Sequence, residues 1–545
     1  MIRKIVQQTI RQSPRVLINT TTGRLYNKAE QAAAFLSLPI ANELVSLMTT
    51  RIDRGRIMQE VRQFFRYVTL SHKWEENEPL FQQVVHIVVY DLDQSPTHDK
   101  LRTFCRIVRD AGFNWAWSDT CCINKEDNFV LQEALVAMFK WYRGSAMTIV
   151  YLQGVHSPGR RGDLMKSIWN TRTWTLQEYV AAKVIRFYTE DWTPYLNIGT
   201  FNHKESPEII SEMEGATGVP AQQLMALRPG LSSIREKLRL ASMRQTTLVE
   251  DAAYSLLGIF SVVGIPPIYG EGEGALGRLL AHILAGSGDA SILAWTGQSS
   301  TFNSCLPAHI TVFNRPAMSY LPWPIENATM QKMVTKLRTF ELEPDIVLKL
   351  YDRLNELPTS WFAASRMKLP CIAFKLPPLL PYRTNSGLVY RVETLVFGMV
   401  EIKSKQISSR LDSLYLVHPW LDALLGREDM QSDVSAEDDT PVPSSPNADD
   451  EDFSDQVIEE DAAPPGIQSL LDPAPVDAGP VDREMRAWQL VARLRQPFGA
   501  LLLTLASHRR MEYRRVAADS VITVKIQRGV PLTEVLDNVR VLDVL

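Results

Sequence analysis

One glutamate in this chain stands in a setting that suits a catalytic acid. Glu178 follows Trp174-Thr-Leu-Gln at the predicted start of a helix, and hydrophobic strands are predicted on both sides of it. An indole four residues before a carboxyl group can shield it from water, which would make Glu178 a partly desolvated acid. The alternative is an ordinary helix, in which Trp174 packs in the core and Glu178 complements the helix dipole in the first turn.

Four further side chains follow predicted strands. Ser71, His72 and Trp74 come after one strand, and Asp119 comes after the next. Parallel strands bring their carboxyl ends to one edge of a sheet, where ligands bind. Together with Glu178, these residues therefore form a candidate pocket. Each also has an ordinary interpretation, with Ser71 as a helix cap, Trp74 as a core residue and Asp119 as a turn or cap residue.

The elements that must position these residues alternate between strands and helices. Strands are predicted at 15–22, 67–70, 113–119, 147–152 and 183–188, and helices at 100–111, at 126–143 and from Trp174 onward. The apolar stripe predicted for the second helix consists of Phe129, Leu135, Met138, Phe139 and Tyr142. Strands that alternate with helices indicate an α/β fold with a parallel sheet flanked by helices.

Three blocks of the sequence occur in an order and at a spacing that suit one family. They are Tyr67-Val-Thr-Leu-Ser-His-Lys-Trp, Trp117-Ser-Asp-Thr-Cys-Cys-Ile-Asn-Lys and Arg172-Thr-Trp-Thr-Leu-Gln-Glu. They resemble the signature blocks of the fungal heterokaryon incompatibility (HET) domain. The resemblance covers about residues 17–192, and residues 244–272 resemble the segment that often follows this domain. The sequence departs from the family at Glu75, where Gly is usual, and at Asn124-Lys125, where Asp-Gln is usual.

The HET domain is similar to the Toll/interleukin-1 receptor (TIR) domain, whose flavodoxin-like sheet in many members cleaves NAD with a glutamate in a Trp-x-x-x-Glu context. The resemblance therefore implies a TIR-like sheet with Glu178 as the catalytic carboxylate and Trp174 beside it. It further implies that the loop Ser71 to Trp74, including His72, lines a nucleotide cleft. Asp119 would position ribose or water there.

The resemblance also implies a function. We expect an NAD+ glycohydrolase that triggers cell death in non-self recognition, an immune-like response, with NAD as substrate and with no cofactor and no metal. Activation is expected to require homo-oligomerisation and an upstream recognition protein of unknown identity. The alternative is a non-enzymatic signalling or interaction module that acts by self-association.

The chain of 545 residues divides by composition into several predicted regions. These are a HET domain at 1–200, a helical segment at 201–300, a β-rich accessory domain at 301–427, an acidic disordered linker at 428–482, and a C-terminal helix with strands that complete the accessory domain at 483–545. The last region is predicted to contain a helix at 487–505 and a strand at 521–526. Gly272-Glu-Gly-Ala-Leu-Gly277 matches GxGxxG, but Glu271 and Glu273 would repel a pyrophosphate, so a tight turn that caps a helix is predicted instead.

Charge is distributed unevenly along the chain. Residues 428–482 contain 17 Asp or Glu and no Lys or Arg, whereas the remaining residues carry 58 basic and 45 acidic side chains, a net charge of +13. Eight prolines and few large apolar residues make this segment unable to offset the entropy cost of ordering. We predict a solvated spacer, with a segment that masks the basic body as the alternative. Nucleic acid is not an expected partner, because no basic stripe with interleaved aromatics accompanies the charge.

The composition favours a cytoplasmic protein. The five cysteines lack metal-ligand spacing, which favours a reducing compartment over disulfides or a zinc site. No apolar run reaches the roughly 18 residues that span a bilayer, so no membrane partner is expected. Residues 1–28 carry six basic and no acidic side chains, as transit peptides do, but the strand predicted at 15–22 favours a folded start.

Overall fold

The computed structural model describes residues 1–47, 53–314, 327–339, 342–363, 365–384, 387–407, 413–420 and 480–545. The predicted acidic linker lies outside these residues except for its last three positions, 480–482. Those three positions belong to a helix that begins at Pro480. Within the described residues, no helix is both long enough and apolar enough to cross a membrane.

A six-stranded sheet forms the N-terminal part of the fold. Its strands are β1 Val16–Asn19, β2 Leu25–Asn27, β3 Tyr67–Ser71, β4 Trp115–Trp117, β5 Met147–Leu152 and β6 Ile185–Thr189. The spatial order is β2-β1-β4-β3-β5-β6. The last four of these strands are parallel to one another, as predicted, whereas β1 and β2 pair antiparallel at one edge. All six residues of β5 are buried, as expected for a strand covered by helices on both faces.

Helices surround this sheet. They are α1 Ile2–Arg11, α2 Lys28–Leu36, α3 Pro39–Leu47, α4 Arg54–Phe64, α5 Phe81–Val84, α6 Pro96–Asp110, α7 Asn128–Gly144, α8 Asp163–Lys166, α9 Ile168–Thr171 and α10 Trp174–Ala181. Helix α6 begins where Ser95 accepts a hydrogen bond from the backbone of His98. Helices α6 and α7 confirm the two predicted between strands. The fold is therefore α/β, with a parallel sheet between helices.

One residue of the apolar stripe predicted for α7 is not in the core. Leu135, Met138, Phe139 and Tyr142 are buried, but Phe129 is 70% exposed. Phe129 lies in the first turn of α7, just after the capping residue Asp127 and beyond the edge of the core. Its ring instead lies 5.8 Å from the guanidinium of Arg15.

Helices dominate the chain between the two sheet regions. They are α11 Pro207–Thr217, α12 Ala221–Ala226, α13 Ile234–Ser242, α14 Asp251–Tyr254 and α15 Gly274–Ser287. The segment between α14 and α15 packs closely on α7, because a Cβ at Gly258 would lie 2.1 Å from Cβ of Phe139. Gly272, at the start of the GxGxxG match, has a positive φ in the turn before α15, and its N–H donates to Glu250 Oε1 at 2.9 Å.

The described residues of the C-terminal part form four helices and ten strands. The helices are α16 Asn327–Thr339, α17 Pro344–Asn355, α18 Pro480–Leu494 and α19 Leu532–Asp537. The strands are β7 Trp361–Ala363, β8 Arg366–Lys375, β9 Leu380–Thr384, β10 Gly387–Thr394, β11 Gly398–Ile402, β12 Leu414–Pro419, β13 Phe498–Ser507, β14 Glu512–Arg515, β15 Ile522–Val524 and β16 Val539–Val544.

Strands from before and after residues 421–479 share one sheet. The pairings β12-β13-β14-β16-β8 and β12–β8 form a closed circuit, while β9, β10 and β11 form a separate sheet. The helix predicted at 487–505 is wrong beyond Leu494, because residues 498–507 are β13. Pro497 disfavours helix at the residue before it, and the apolar run that follows pairs with β12 and β14.

Candidate active site

The carboxyl edge of the parallel sheet brings several predicted site residues together. Ser71 ends β3, and Asp119 follows β4 by two residues. Strand β3 lies between β4 and β5. The chain runs from β3 to β4 on one side and then back past β3 to β5 on the other, and a crevice opens where the strand order reverses in this way. Glu178, in the middle of α10, reaches the same place, because it is hydrogen bonded to Ser71.

Three side chains form a hydrogen-bonded line into this edge. The indole N–H of Trp169 donates to Ser71 Oγ at 2.7 Å, and Ser71 in turn donates to Glu178 Oε2. An indole N–H can only donate, so the serine proton is directed at the carboxyl group. Trp169 was not among the predicted site residues. The one signal for it in the sequence was its position, as an aromatic residue shortly before the third HET-like block.

Burial changes the protonation of Glu178. The side chain is 4% exposed, and burial raises its pKa to about 8, with the negative charge of Asp119 acting in the same direction. The hydrogen bond from Ser71 and the positive charge of Arg172 act in the opposite direction. Burial outweighs them, so Glu178 is a protonated acid at neutral pH.

The hydrogen bonds of the Tyr142 hydroxyl group are consistent with a protonated Glu178. Its hydroxyl donates to the carbonyl oxygen of Leu70 at 3.0 Å, so its only proton is used. The phenol oxygen can therefore accept a hydrogen bond from the neutral carboxyl group, which in turn accepts a hydrogen bond from Ser71. Tyr142 was predicted only as part of the apolar stripe of α7. Glu178 is the fifth residue of α10, so the interpretation as a first-turn acid is wrong.

Asp119 forms a second polar cluster beside Glu178. Its Oδ2 accepts the indole N–H of Trp74 at 2.8 Å, and the ammonium of Lys125 lies 3.5 Å from the centre of that ring. Trp74 is 42% exposed and is therefore not a core residue. Asp119 Oδ1 and Lys125 Nζ are buried without a hydrogen-bond partner among the described residues. Unsatisfied polar atoms of opposite charge at one edge are suited to a polar ligand.

His72 belongs to a different network. Its Nε2 lies 2.9 Å from Glu78 Oε2, and Lys100 pairs with Glu78 and also with Glu75 at 2.7 Å. Burial alone would raise the pKa of Glu78, but the charges and hydrogen bonds of His72 and Lys100 lower it to about 2. Successive side chains of a strand point to opposite faces, so His72 does not join Ser71 and Glu178.

Trp174 is directed toward the helical segment that follows the sheet. A hydrogen bond from Trp174 contributes to the pKa of Asp251 in α14, which burial raises. It is therefore Trp169, and not Trp174, that contacts Ser71.

The same helical segment holds the start of α10 in place. Arg244 donates to the carbonyl oxygen of Arg172 and to Thr175 Oγ1, both at 2.8 Å. The backbone N–H of Gln245 donates to the carbonyl oxygen of Thr171 at 2.6 Å. Residues 244–251 thereby fix the orientation of the helix that carries Glu178.

Part of the candidate site lies in a segment that matches a known protein family. Residues 67–162 match the family described as heterokaryon incompatibility protein (HET). This match confirms the resemblance to the HET domain seen in the sequence. The matched residues contain Ser71 and Asp119 and end before Glu178. No solved structure matches the chain.

One relative of the chain is a fungal incompatibility protein. Over 232 residues, the chain is 36% identical to vegetative incompatibility protein HET-E-1 of Podospora anserina. The alignment covers 40% of this chain and 16% of HET-E-1. The chain thus spans a small part of the length of that relative.

Proposed function

We propose that this protein acts in heterokaryon incompatibility by cleaving NAD at the bond between nicotinamide and ribose, with Glu178 as the catalytic carboxylate. The observation that carries the proposal is a buried, hydrogen-bonded carboxyl group of raised pKa at the carboxyl edge of a parallel sheet. Perturbed acids at such positions are the groups that enzymes use. The similarity to HET-E-1 supports the biological role.

The sheet supports the TIR-like part of the proposal. Numbered by their appearance in the chain, the four parallel strands follow the spatial order 2-1-3-4. This is the beginning of the flavodoxin-like order, in which ligands bind where the strand order reverses. Ser71 and Glu178 lie at that point.

Binding of NAD would change the charge state of Glu178. The nicotinamide ring is positively charged, and a positive charge beside a carboxyl group favours its ionised form. The C1′–N bond then breaks, and its electron pair stays with the nitrogen, so neutral nicotinamide leaves. Positive charge develops at C1′ of the ribose, where the ionised Glu178 stabilises it. Water adds to C1′ and loses one proton to Glu178 or to solvent.

The second cluster provides contacts for the rest of the substrate. Asp119 Oδ1, which lacks a partner among the described residues, accepts a hydrogen bond from a ribose hydroxyl group. Trp74 is exposed and offers an aromatic face to a base, with Lys125 close to phosphate. Because Glu178 is 4% exposed, the Ser71 to Trp74 loop must move before substrate reaches it. Self-association is the event that we expect to move this loop.

The test is NAD consumption by the full chain fused to an inducible dimerisation module. We expect nicotinamide release on clustering by the wild type, and at least a hundredfold slower release by Glu178→Gln. Glu212→Gln is the matched control, because Glu212 is also a buried glutamate and is bonded to Tyr195, away from the sheet edge. If Glu178→Gln and the wild type release nicotinamide at the same rate, Glu178 is not the catalytic carboxylate.

A non-enzymatic module is the second candidate. The observation that favours it is the enclosure of Glu178, whose neutral form is satisfied by Ser71 and Tyr142 as in a purely structural site. In that case clustering of the wild type triggers cell death in a fungal host without loss of NAD. The same death from clustered Glu178→Gln would support this candidate over the enzyme.

A further inference from the structure

A cavity of about 730 Å³ lies at the C-terminal end of α10. Its lining includes Arg143 at the end of α7 and Lys183 just before β6. Both positions lie where β5 and β6 begin, so the cavity is at the amino edge of the parallel sheet. The side chains that contact Glu178 in the candidate active site do not line this cavity. The two sites share only helix α10.

Much of the wall of this cavity is apolar. Its apolar side chains come from α10 to α13, namely Leu176, Tyr179, Val180, Ile210, Met213, Leu224 and Leu240. Sites for small molecules occupy roughly 300–1,000 Å³, are lined mostly by apolar side chains and hold a few polar groups that orient the ligand. Volume and lining both suit a small molecule with an aliphatic body.

The charged side chains of the cavity are almost all positive. Arg143, Lys183, Lys204 and Arg228 line it, against one carboxylate, that of Glu205. Glu205 accepts a hydrogen bond from Asn202 at 2.9 Å, and no carboxylate of the described chain lies within ion-pair distance of the four cations.

Two of these cations, Lys204 and Arg228, donate hydrogen bonds to backbone carbonyl groups. Lys204 Nζ donates to Ala182 at 2.6 Å, and Arg228 donates to Met225 at 2.9 Å and to Leu227 at 3.1 Å. Burial lowers the pKa of Lys204 to about 8, and the positive charges of Arg228 and Arg143 add to this effect. Arg143, Lys204 and Arg228 thus line one cavity, and no carboxylate among the described residues pairs with them.

We propose that this cavity binds a small anionic amphiphile, with its aliphatic chain against Leu224 and Val180 and its anionic head group between Lys204 and Arg228. An anion relieves the repulsion among the cations and can accept paired hydrogen bonds from a guanidinium group. Isolated surface cations are ordinarily solvated and bind nothing. Here they border a cavity that is lined in large part by apolar side chains, and that combination distinguishes a site from a solvated surface. The readout is binding, so the proposal is independent of NAD cleavage.

The experiment is calorimetric titration of the full chain with decyl phosphate below its critical micelle concentration. We expect one site per chain, and at least tenfold weaker binding of 1-decanol and of inorganic phosphate, because each lacks one half of the ligand. Binding of decanoate as tightly as decyl phosphate supports the site and assigns a carboxylate head group. Decanol binding as tightly as decyl phosphate overturns the proposal, as does absence of binding by both anionic amphiphiles.

Variants locate the site. Lys204→Met and Arg228→Gln are expected to weaken decyl phosphate at least tenfold, and Met225→Glu, which adds a carboxylate at an exposed lining position, to do the same. Arg228 and Met225 are exposed, so these two variants keep the test valid if Lys204→Met does not fold. Arg62→Gln is the matched control, an exposed arginine of α4 outside the cavity. Equal weakening by Arg62→Gln would overturn the proposal.

Discussion

The two edges of the parallel sheet treat charge in opposite ways. At the carboxyl edge, Glu178 and Asp119 are buried together, and Glu178 holds its proton to a pH of about 8. At the amino edge, Lys204 converges with exposed arginines around an open cavity, and its pKa falls to about 8. Helix α10 borders both. Depth from solvent decides whether a group neutralises itself or keeps its charge for a ligand.

The largest expected effect is on stability as a function of pH. The folded protein binds a proton at Glu178 up to a pH of about 8, whereas the unfolded chain releases it near 4.5. The free energy of unfolding should therefore fall as pH rises through this window. Each unit is worth about 1.4 kcal/mol, so the decline is several kcal/mol at most.

Denaturant unfolding of wild type and Glu178→Gln from pH 5 to pH 9 measures this effect. The variant mimics the protonated acid and should lose the decline, so the two curves diverge as pH rises. Parallel curves would mean that Glu178 is ionised in the folded protein at neutral pH.

The next effect concerns the proposed activity. If ionised Glu178 stabilises the ribosyl cation, kcat/KM for NAD should rise about tenfold per pH unit below 8 and level off above it, because this ratio reports the free enzyme. The measurement is nicotinamide release by the clustered wild type between pH 6 and 9. A rate that falls with rising pH over this range would assign Glu178 the role of a general acid instead.

A smaller effect is expected from Ser71→Ala. The change leaves the buried indole N–H of Trp169 and one oxygen of Glu178 without their partner, at a cost of about 1–3 kcal/mol in the free energy of unfolding. Ser37→Ala, at an exposed serine bonded to the carbonyl oxygen of Ala34, should cost less than about 0.5 kcal/mol. Equal costs in urea unfolding would show that the line through Ser71 contributes nothing.

The smallest effect belongs to the amino edge and has the opposite sign with pH. Lys204 loses its proton near pH 8 in the folded protein and near 10.5 in the unfolded chain, so stability should rise through that window. Because Lys204 is only partly buried, we expect about 1 kcal/mol or less. Unfolding of Lys204→Met from pH 8 to 10 should lack this rise. A fall in the wild type over this window would contradict the assignment.

Sequence patterns predicted much of the fold around the candidate site. The buried runs that became β3 and β5 carry their own signal, because a strand covered on both faces must be apolar throughout. Residues 498–505 were assigned to a helix because an apolar run alone does not distinguish the two structures. Pairing with β12, which is distant in sequence, made them a strand.

The amino-acid sequence by itself determined the parallel strands, the HET blocks and the presence of a carboxyl group at their edge, since these depend on local patterns. Only the tertiary structure decided the partners of that group. Trp169 and Tyr142 reach Ser71 and Glu178 through packing between separate elements, whereas Trp174 turns to Asp251. It also decided the state of Glu178, because pKa depends on how much water the folded chain excludes.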